Sequence, residues 1–171
     1  MSATIMSLFE DTALFQGQQR QELCTGAVVL RGFAFAQATA LYEEVDGVTS
    51  RAPFRHMVTP GGVCMSVAMT NCGSYGWVSD STGYRYDPRD PHNGQNWPEM
   101  PDIFLKLAQN AAAAAGFDNY VPDACLINRY DPGTRLSMHQ DKDERDREAP
   151  IVSVSLGISA VFLWGGLQRQ D

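Results

Sequence analysis

No window of the sequence approaches the roughly 18 consecutive apolar residues of a membrane span, so no segment is a candidate transmembrane helix. The first residues, MSATIMSLFEDTALFQ, lack a basic start and place acids within the apolar stretch, which does not fit a secretory signal. The cytoplasm is the expected compartment. Cysteine is sparse and scattered: Cys24, Cys64, Cys72 and Cys125 form no CxxC pair and have no metal-ligand spacing. They read as buried or half-buried thiols of a reducing compartment. Only three histidines are present, His56, His92 and His139. Basic residues are also few, 13 against 20 acids, for a net charge of -7. That balance argues against broad electrostatic capture of nucleic acid and leaves a local basic strip as the route to it.

What is there describes one folded unit. The 171 residues suffice for a single domain with a sizeable core, at 44% hydrophobic and 19% charged. Residues 1–22, polar and rich in Gln, form an expected N-terminal extension, and 23–171 the domain. Gly26 to Leu30 reads as a short strand. Phe35 to Val45 has helical spacing, with Phe35, Ala38, Leu41, Tyr42 and Val45 on one face. Thr59-Pro60-Gly61-Gly62 is a turn opening a strand-like run from Val63 to Asn71. Ser74 to Pro98 mixes Trp77, Tyr84, Tyr86 and Trp97 with many Gly, Asp, Asn and Pro, and reads as a long functional loop. Pro101 starts a helix at its first position and Gly116 stops it. Asp123 to Tyr130 is a strand, Asp131 to Gly133 a turn, and Ile151 to Ile158 and Ala160 to Trp164 two further strands. Trp97 and Trp164 read as packing residues.

The sharpest chemical feature is His139-Gln140-Asp141. On an extended segment, positions i and i+2 point to the same side, so an imidazole and a carboxylate converge. Two such ligands form part of a 2-His-1-carboxylate triad, which leaves positions open on Fe(II). A surface histidine beside an acidic patch has the same pattern. Upstream stand Asn128 and Tyr130 on one strand face and a tight Pro-Gly turn. Downstream runs KDERDRE, Lys142 to Glu148, mostly a solvated loop.

RYDPGTRLSMHQDKDE (Arg129 to Glu144), preceded by PDACLIN, resembles the signature of bacterial AlkB dealkylation dioxygenases. PFRHMVTPGGVCMSVAMTNCG (Pro53 to Gly73) and APIVSVSLG (Ala149 to Gly157) resemble the same family, and the likeness runs in unbroken order from about Leu23 to Asp171. The resemblance implies a β-dominated, double-stranded β-helix (jelly-roll-like) core with flanking helices and a nucleotide-recognition lid. It implies Fe(II), 2-oxoglutarate and dioxygen, with His139 and Asp141 as iron ligands and Leu126, Asn128 and Tyr130 lining the 2-oxoglutarate pocket. Asn and Tyr both carry donors for a carboxylate. Trp77 and Tyr84-Arg85-Tyr86 would belong to the lid, Trp77 stacking on the flipped base and Tyr84 meeting the phosphate backbone. Met69 would pack beside the base, Asp143 would face an exocyclic amine or cationic base, and Arg169 would contact nucleic acid. As bare residues, Trp77 and Tyr84 equally suit loop anchors, Met69 a core position, Asn128 a strand edge and Arg169 a solvent-facing charge.

The implied activity is oxidative dealkylation of N-alkylated bases such as 1-methyladenine and 3-methylcytosine in DNA or RNA. 2-Oxoglutarate and dioxygen become succinate and carbon dioxide, and an aldehyde leaves. The expected substrate is single-stranded, because a stacked base is out of reach without flipping, and the expected state is a monomer with no membrane association. The family pattern continues past the position of Asp171 with more strands, a second iron-binding histidine and arginines that clamp 2-oxoglutarate. The chain is therefore expected to hold the N-terminal and central part, with neither His56 nor His92 as third ligand. Two other functions suit parts of the pattern: a 2-oxoglutarate oxygenase acting on a protein or small molecule, and a catalytically silent nucleic-acid-binding module. The long aromatic lid counts against the first; the missing C-terminal ligands count for the second.

Overall fold

The computed structural model describes residues 4–7, 19–141, 144 and 146–165. Among the described residues, nine strands and two helices make the fold β-dominated, as the family resemblance implied. Its centre is a three-stranded antiparallel sheet of β4 (Arg55–Val58), β5 (Cys64–Gly73) and β8 (Ala124–Arg129), with β5 in the middle. A central strand is covered on both faces and must be apolar or internally satisfied. The run from Val67 to Cys72 is accordingly buried throughout. Its two polar members have partners: the Thr70 hydroxyl donates to the Ala52 carbonyl at 2.6 Å, and Asn71 bonds Trp77.

Beside this sheet stands a hairpin of β6 (Gly76–Asp80) and β7 (Gly83–Asp87). The segment was expected to be a loop, because its Gly, Ser and Asp content resembles loop composition. The expectation fails because those residues make the turn. Asp80 accepts from the Thr82 amide at 2.8 Å, and Gly83 takes φ +127°. The flanking pentapeptides GWVSD and GYRYD are then free to pair. The Ser79 hydroxyl donates to the Val58 carbonyl at 2.8 Å, anchoring the hairpin to β4.

Helix α1 (Ala38–Arg51) follows a 3-10 turn over Phe35–Gln37, and helix α2 spans Asp102–Ala115. In α1 the buried residues are Leu41 and Val48, seven apart, while Phe35 and Tyr42 are exposed. The core face is therefore narrower than the apolar pattern and is shifted toward the C-terminal half. Pro101 is the N-cap of α2 rather than its first helical residue, and Gly116 ends it in the left-handed region at φ +97°.

Strand β2 (Gln19–Cys24) pairs with β3 (Ala27–Arg31), and β1 (Thr4–Ser7) pairs with β9 (Val161–Trp164). The boundary expected at residue 22 thus falls inside β2. Ile151 to Ile158 is not a strand: among the described residues no neighbour forms a ladder with it, and Ile151, Val154 and Ile158 are exposed. Trp164, expected to pack, is 37% exposed on a two-stranded ribbon, whereas Trp97 is buried against Ala52 and Val78. All four cysteines are free. Cys72 is buried and Cys125 half-buried, while Cys24 and Cys64 are exposed rather than sheltered. No helix among the described residues is long and apolar enough to cross a membrane.

Candidate active site

Past β8 the chain turns at Asp131, whose carbonyl accepts from the Thr134 amide at 3.0 Å. The Ser66 hydroxyl holds the Arg135 carbonyl at 3.2 Å, and Leu136 packs on the core of Met57, Val67 and Met69. These contacts fix the chain just before His139. The His139 Nδ1–H donates to the Ser137 carbonyl at 2.7 Å. That bond occupies Nδ1 and leaves Nε2 as the nitrogen available to a metal. Nε2 stands 3.5 Å from Asp141 Oδ1, and both side chains are about half exposed. The i, i+2 convergence expected from the sequence is realised, with the ring nitrogen and carboxylate oxygen on one point. Among the described residues, no third His, Cys, Asp or Glu completes a metal cluster with them. His56 is occupied elsewhere, its Nδ1 2.9 Å from the Met65 carbonyl.

An imidazole with its outer nitrogen bonded and its inner lone pair beside a carboxylate is a donor set that fits Fe(II). Next to it lies a cavity of about 210 Å³ lined by Gln140, Asp141, Glu144, Asp146, Arg147 and Ile151, among others.

Asn128 is on β8 directly opposite Met69. Its Oδ1 is buried and has no hydrogen-bond partner among the described residues. An unpartnered buried amide costs about 1–3 kcal/mol, so the position favours a polar ligand over an empty apolar neighbour. Leu126, two residues back on the same strand face, is 37% exposed. Tyr130, two residues on, is 50% exposed. Burial of its hydroxyl end raises the Tyr130 pKa above the ordinary phenol value, so it remains an O–H donor. Leu126, Asn128 and Tyr130 thus follow one another at a spacing of two and carry an apolar side chain, an amide and a hydroxyl.

The β6–β7 hairpin carries the aromatic residues. Trp77 and Tyr84 stack with centroids 5.7 Å apart and planes at 18°. Tyr84 is 46% exposed, while Trp77 is half-buried over Met57, Val67 and Met69. Met69 itself is 1% exposed, so it supports Trp77 from the core instead of presenting a surface. Arg85 is not a free cation: it pairs with Asp80 at 3.0 Å and Asp87 at 3.3 Å. The Tyr86 hydroxyl donates to Glu144 Oε1 at 2.5 Å. Asp143 and Arg169 lie outside the described residues. Sequence reasoning missed Asn71 and Glu144, whose partners Trp77 and Tyr86 lie 6 and 58 residues away and carry no local signature.

The chain resembles known proteins over most of its length. Residues 26–171 match the 2OG-Fe(II) oxygenase superfamily. The chain is 54% identical to the alpha-ketoglutarate-dependent dioxygenase AlkB of Escherichia coli over 98% of its own length and 76% of that protein's. It is 55% identical to the protein of the same name from Salmonella typhimurium, with the same coverage. A solved structure described as OsALKBH1 superposes with a TM-score of 0.63 at 26% identity, over 74% of this chain and 62% of that one. The chain therefore spans about three quarters of its two bacterial relatives' length and less than two thirds of the solved structure's. Its strand-rich core with two helices is of the β-dominated, jelly-roll-like class.

Proposed function

Since the chain belongs to the AlkB family of the 2OG-Fe(II) oxygenase superfamily, we propose that it oxidatively dealkylates nitrogen atoms of nucleic-acid bases. The observation that carries the reading is the convergence of His139 Nε2 and Asp141 Oδ1, with the outer imidazole nitrogen tied to Ser137. His139 and Asp141 would supply two iron ligands. Bound iron, with 2-oxoglutarate and dioxygen, supplies the oxidising equivalent that hydroxylates the alkyl carbon, after which the carbon–nitrogen bond breaks and an aldehyde leaves.

The chain's own residues orient and select. Asn128 and Tyr130 would hold a 2-oxoglutarate carboxylate through an amide and a hydroxyl, with Leu126 against its carbon chain. The carbonyl and amino ends of Asn128 exchange by a simple flip, so the buried position can donate to a carboxylate. Trp77 and Tyr84 would form an aromatic shelf for the base, with Met69 beneath it. Stacking is worth about 1–3 kcal/mol per base and tolerates any base. Arg85 orders the hairpin turn, Asp143 would face the base, and Arg169 would meet the nucleic acid. Single strands are the preferred substrate because they spare the unstacking cost of a few kcal/mol, and the active form is a monomer. An acidic protein with a net charge of -7 suits a cationic alkylated base better than it suits bulk phosphate.

The test is incubation with Fe(II), 2-oxoglutarate, ascorbate and a single-stranded oligonucleotide bearing 1-methyladenine or 3-methylcytosine, followed by mass spectrometry. The expected result is loss of the methyl group, abolished in His139→Ala and in Asp141→Ala. Hydroxylation of peptides with no oligonucleotide repair would overturn the substrate class. Failure to turn over 2-oxoglutarate with any substrate would favour the silent binding module.

A further inference from the structure

Tyr86 and Glu144 are 58 residues apart in sequence and meet in a 2.5 Å hydrogen bond. Each end sits at a telling place. Tyr86 is on β7 directly across from Trp77 on β6, and Trp77 stacks on Tyr84. Glu144 comes three residues after Asp141, and both line the same small cavity. Burial, the Glu144 bond and charge, and the nearby Asp141 and Asp123 charges all raise the Tyr86 pKa. The phenol therefore keeps its proton and donates it to the Glu144 carboxylate, a bond of the stronger charge-assisted kind.

We propose that Glu144 is a positioning residue: through the Tyr86 hydroxyl its carboxylate ties the β6–β7 hairpin to the segment bearing His139 and Asp141, setting the aromatic shelf against the reacting centre. The assignment of a shelf and a reacting centre rests on the proposed function; the tie does not. Other bonds hold the hairpin from different sides. Asn71 holds Trp77, Ser79 holds Val58, and the Trp97 indole donates to the Asp87 carbonyl at 2.9 Å. All of these fix the hairpin to the sheet or to the following loop. The Tyr86–Glu144 bond fixes it to the segment after Asp141. Near-attack geometry tolerates misplacement of well under 1 Å, so a hairpin anchored only to the sheet leaves the relation that matters for chemistry less defined.

The experiment is amide hydrogen exchange on the whole chain without metal, comparing wild type, Tyr86→Phe, Glu144→Ala, Glu144→Gln and the Tyr86→Phe/Glu144→Ala double variant. Tyr86→Phe and Glu144→Ala should each speed exchange of the 76–87 amides about tenfold, the change expected for one lost bond to a charged group. Glu144→Gln keeps an acceptor without charge and should fall between them and wild type. The double variant should match the singles, because one bond can be lost only once. Helix α2 serves as the reference and should not change. Unchanged exchange at 76–87, additive single effects, or an equal rise in α2 would each overturn the tie. Where the protein repairs oligonucleotides, Glu144→Ala should raise the oligonucleotide KM severalfold and leave the 2-oxoglutarate KM alone. Loosening without any repair would overturn the dealkylase reading and keep the tie; repair without loosening would do the reverse.

Discussion

Asn71 grips Trp77 by both ends of its residue: its Nδ2 donates to the Trp77 carbonyl and its Oδ1 accepts from the Trp77 amide, each at 3.0 Å. Asn71 is fully buried on β5, so the grip sets the first residues of the hairpin from inside the core. The Asn71→Ala variant leaves two part-buried backbone groups of Trp77 without partners. At about 1–2 kcal/mol for each, the lower part of the range for an unpaired group, it should lose roughly 2–4 kcal/mol of stability and show red-shifted Trp77 fluorescence. Thermal unfolding followed by tryptophan emission checks both.

Gly76 is required for space, not for its backbone angle. A Cβ there would lie 2.4 Å from Trp97 Cε2 and 2.8 Å from the Asn71 Cβ. Trp97 is buried and held by Asp87, so it cannot give way. Gly83 is the opposite case, with φ +127° but nothing within 4 Å of an added Cβ. Gly76→Ala should therefore cost about 3 kcal/mol or more, as overpacking does, and Gly83→Ala only about 1–2 kcal/mol of backbone strain. Chemical denaturation of the two variants should rank them in that order; the reverse order would mean the β6 entry is pliable.

Asp90 gives the fold an acid-sensitive point. Its side chain is 5% exposed and pairs with Arg55 at 2.6 Å, and Arg55 lies over the Trp97 ring at 5.3 Å. Burial alone would raise its pKa, but the Arg55 bond, the His92 amide and the Arg55 charge together bring it below the ordinary carboxylate value. A depressed folded pKa means the stabilisation is present above the unfolded value of roughly 3.9 and lost as pH falls through the folded one. Asp90→Asn should lower stability at pH 7 by about 2–3 kcal/mol, since a mostly buried partner charge is left unpaired. It should also flatten the pH dependence below pH 4. Urea midpoints from pH 7 to pH 3 test the sign; parallel curves for the two proteins would refute it.

Where local rules decided the structure, the sequence was readable. Pro101 and Gly116 bracket α2 to within a residue, and the period of two carried the convergence of His139 and Asp141. The three blocks resembling the AlkB family imply the β-dominated fold class that the structure has. Where long-range contacts decided, it was not. The β6–β7 hairpin hides in loop-like composition because its turn residues are also its strand ends. Ile151 to Ile158 has strand composition but no ladder neighbour, and composition cannot supply one. Met69 is indistinguishable in sequence from a substrate contact, yet its burial with Met57 and Val67 makes it the floor under Trp77. Asn71 and Glu144 act through partners 6 and 58 residues away.

The orphaned Asn128 amide separates a ligand-binding role from a structural one. Its Oδ1 is buried without a partner, so it contributes a penalty to the free protein. A leucine of similar size removes that penalty and keeps the packing against Met69, its opposite number on β5. Asn128→Leu should leave the melting temperature of the ligand-free protein unchanged or raise it by about 2–4 °C, the equivalent of roughly 1 kcal/mol. The same variant should weaken 2-oxoglutarate binding at least tenfold, because a carboxylate loses a polar partner and meets an apolar one. Calorimetric titration of 2-oxoglutarate in the presence of Mn(II) measures the second effect. A destabilised variant that still binds 2-oxoglutarate normally would make Asn128 a strand-edge residue and move the dicarboxylate site elsewhere.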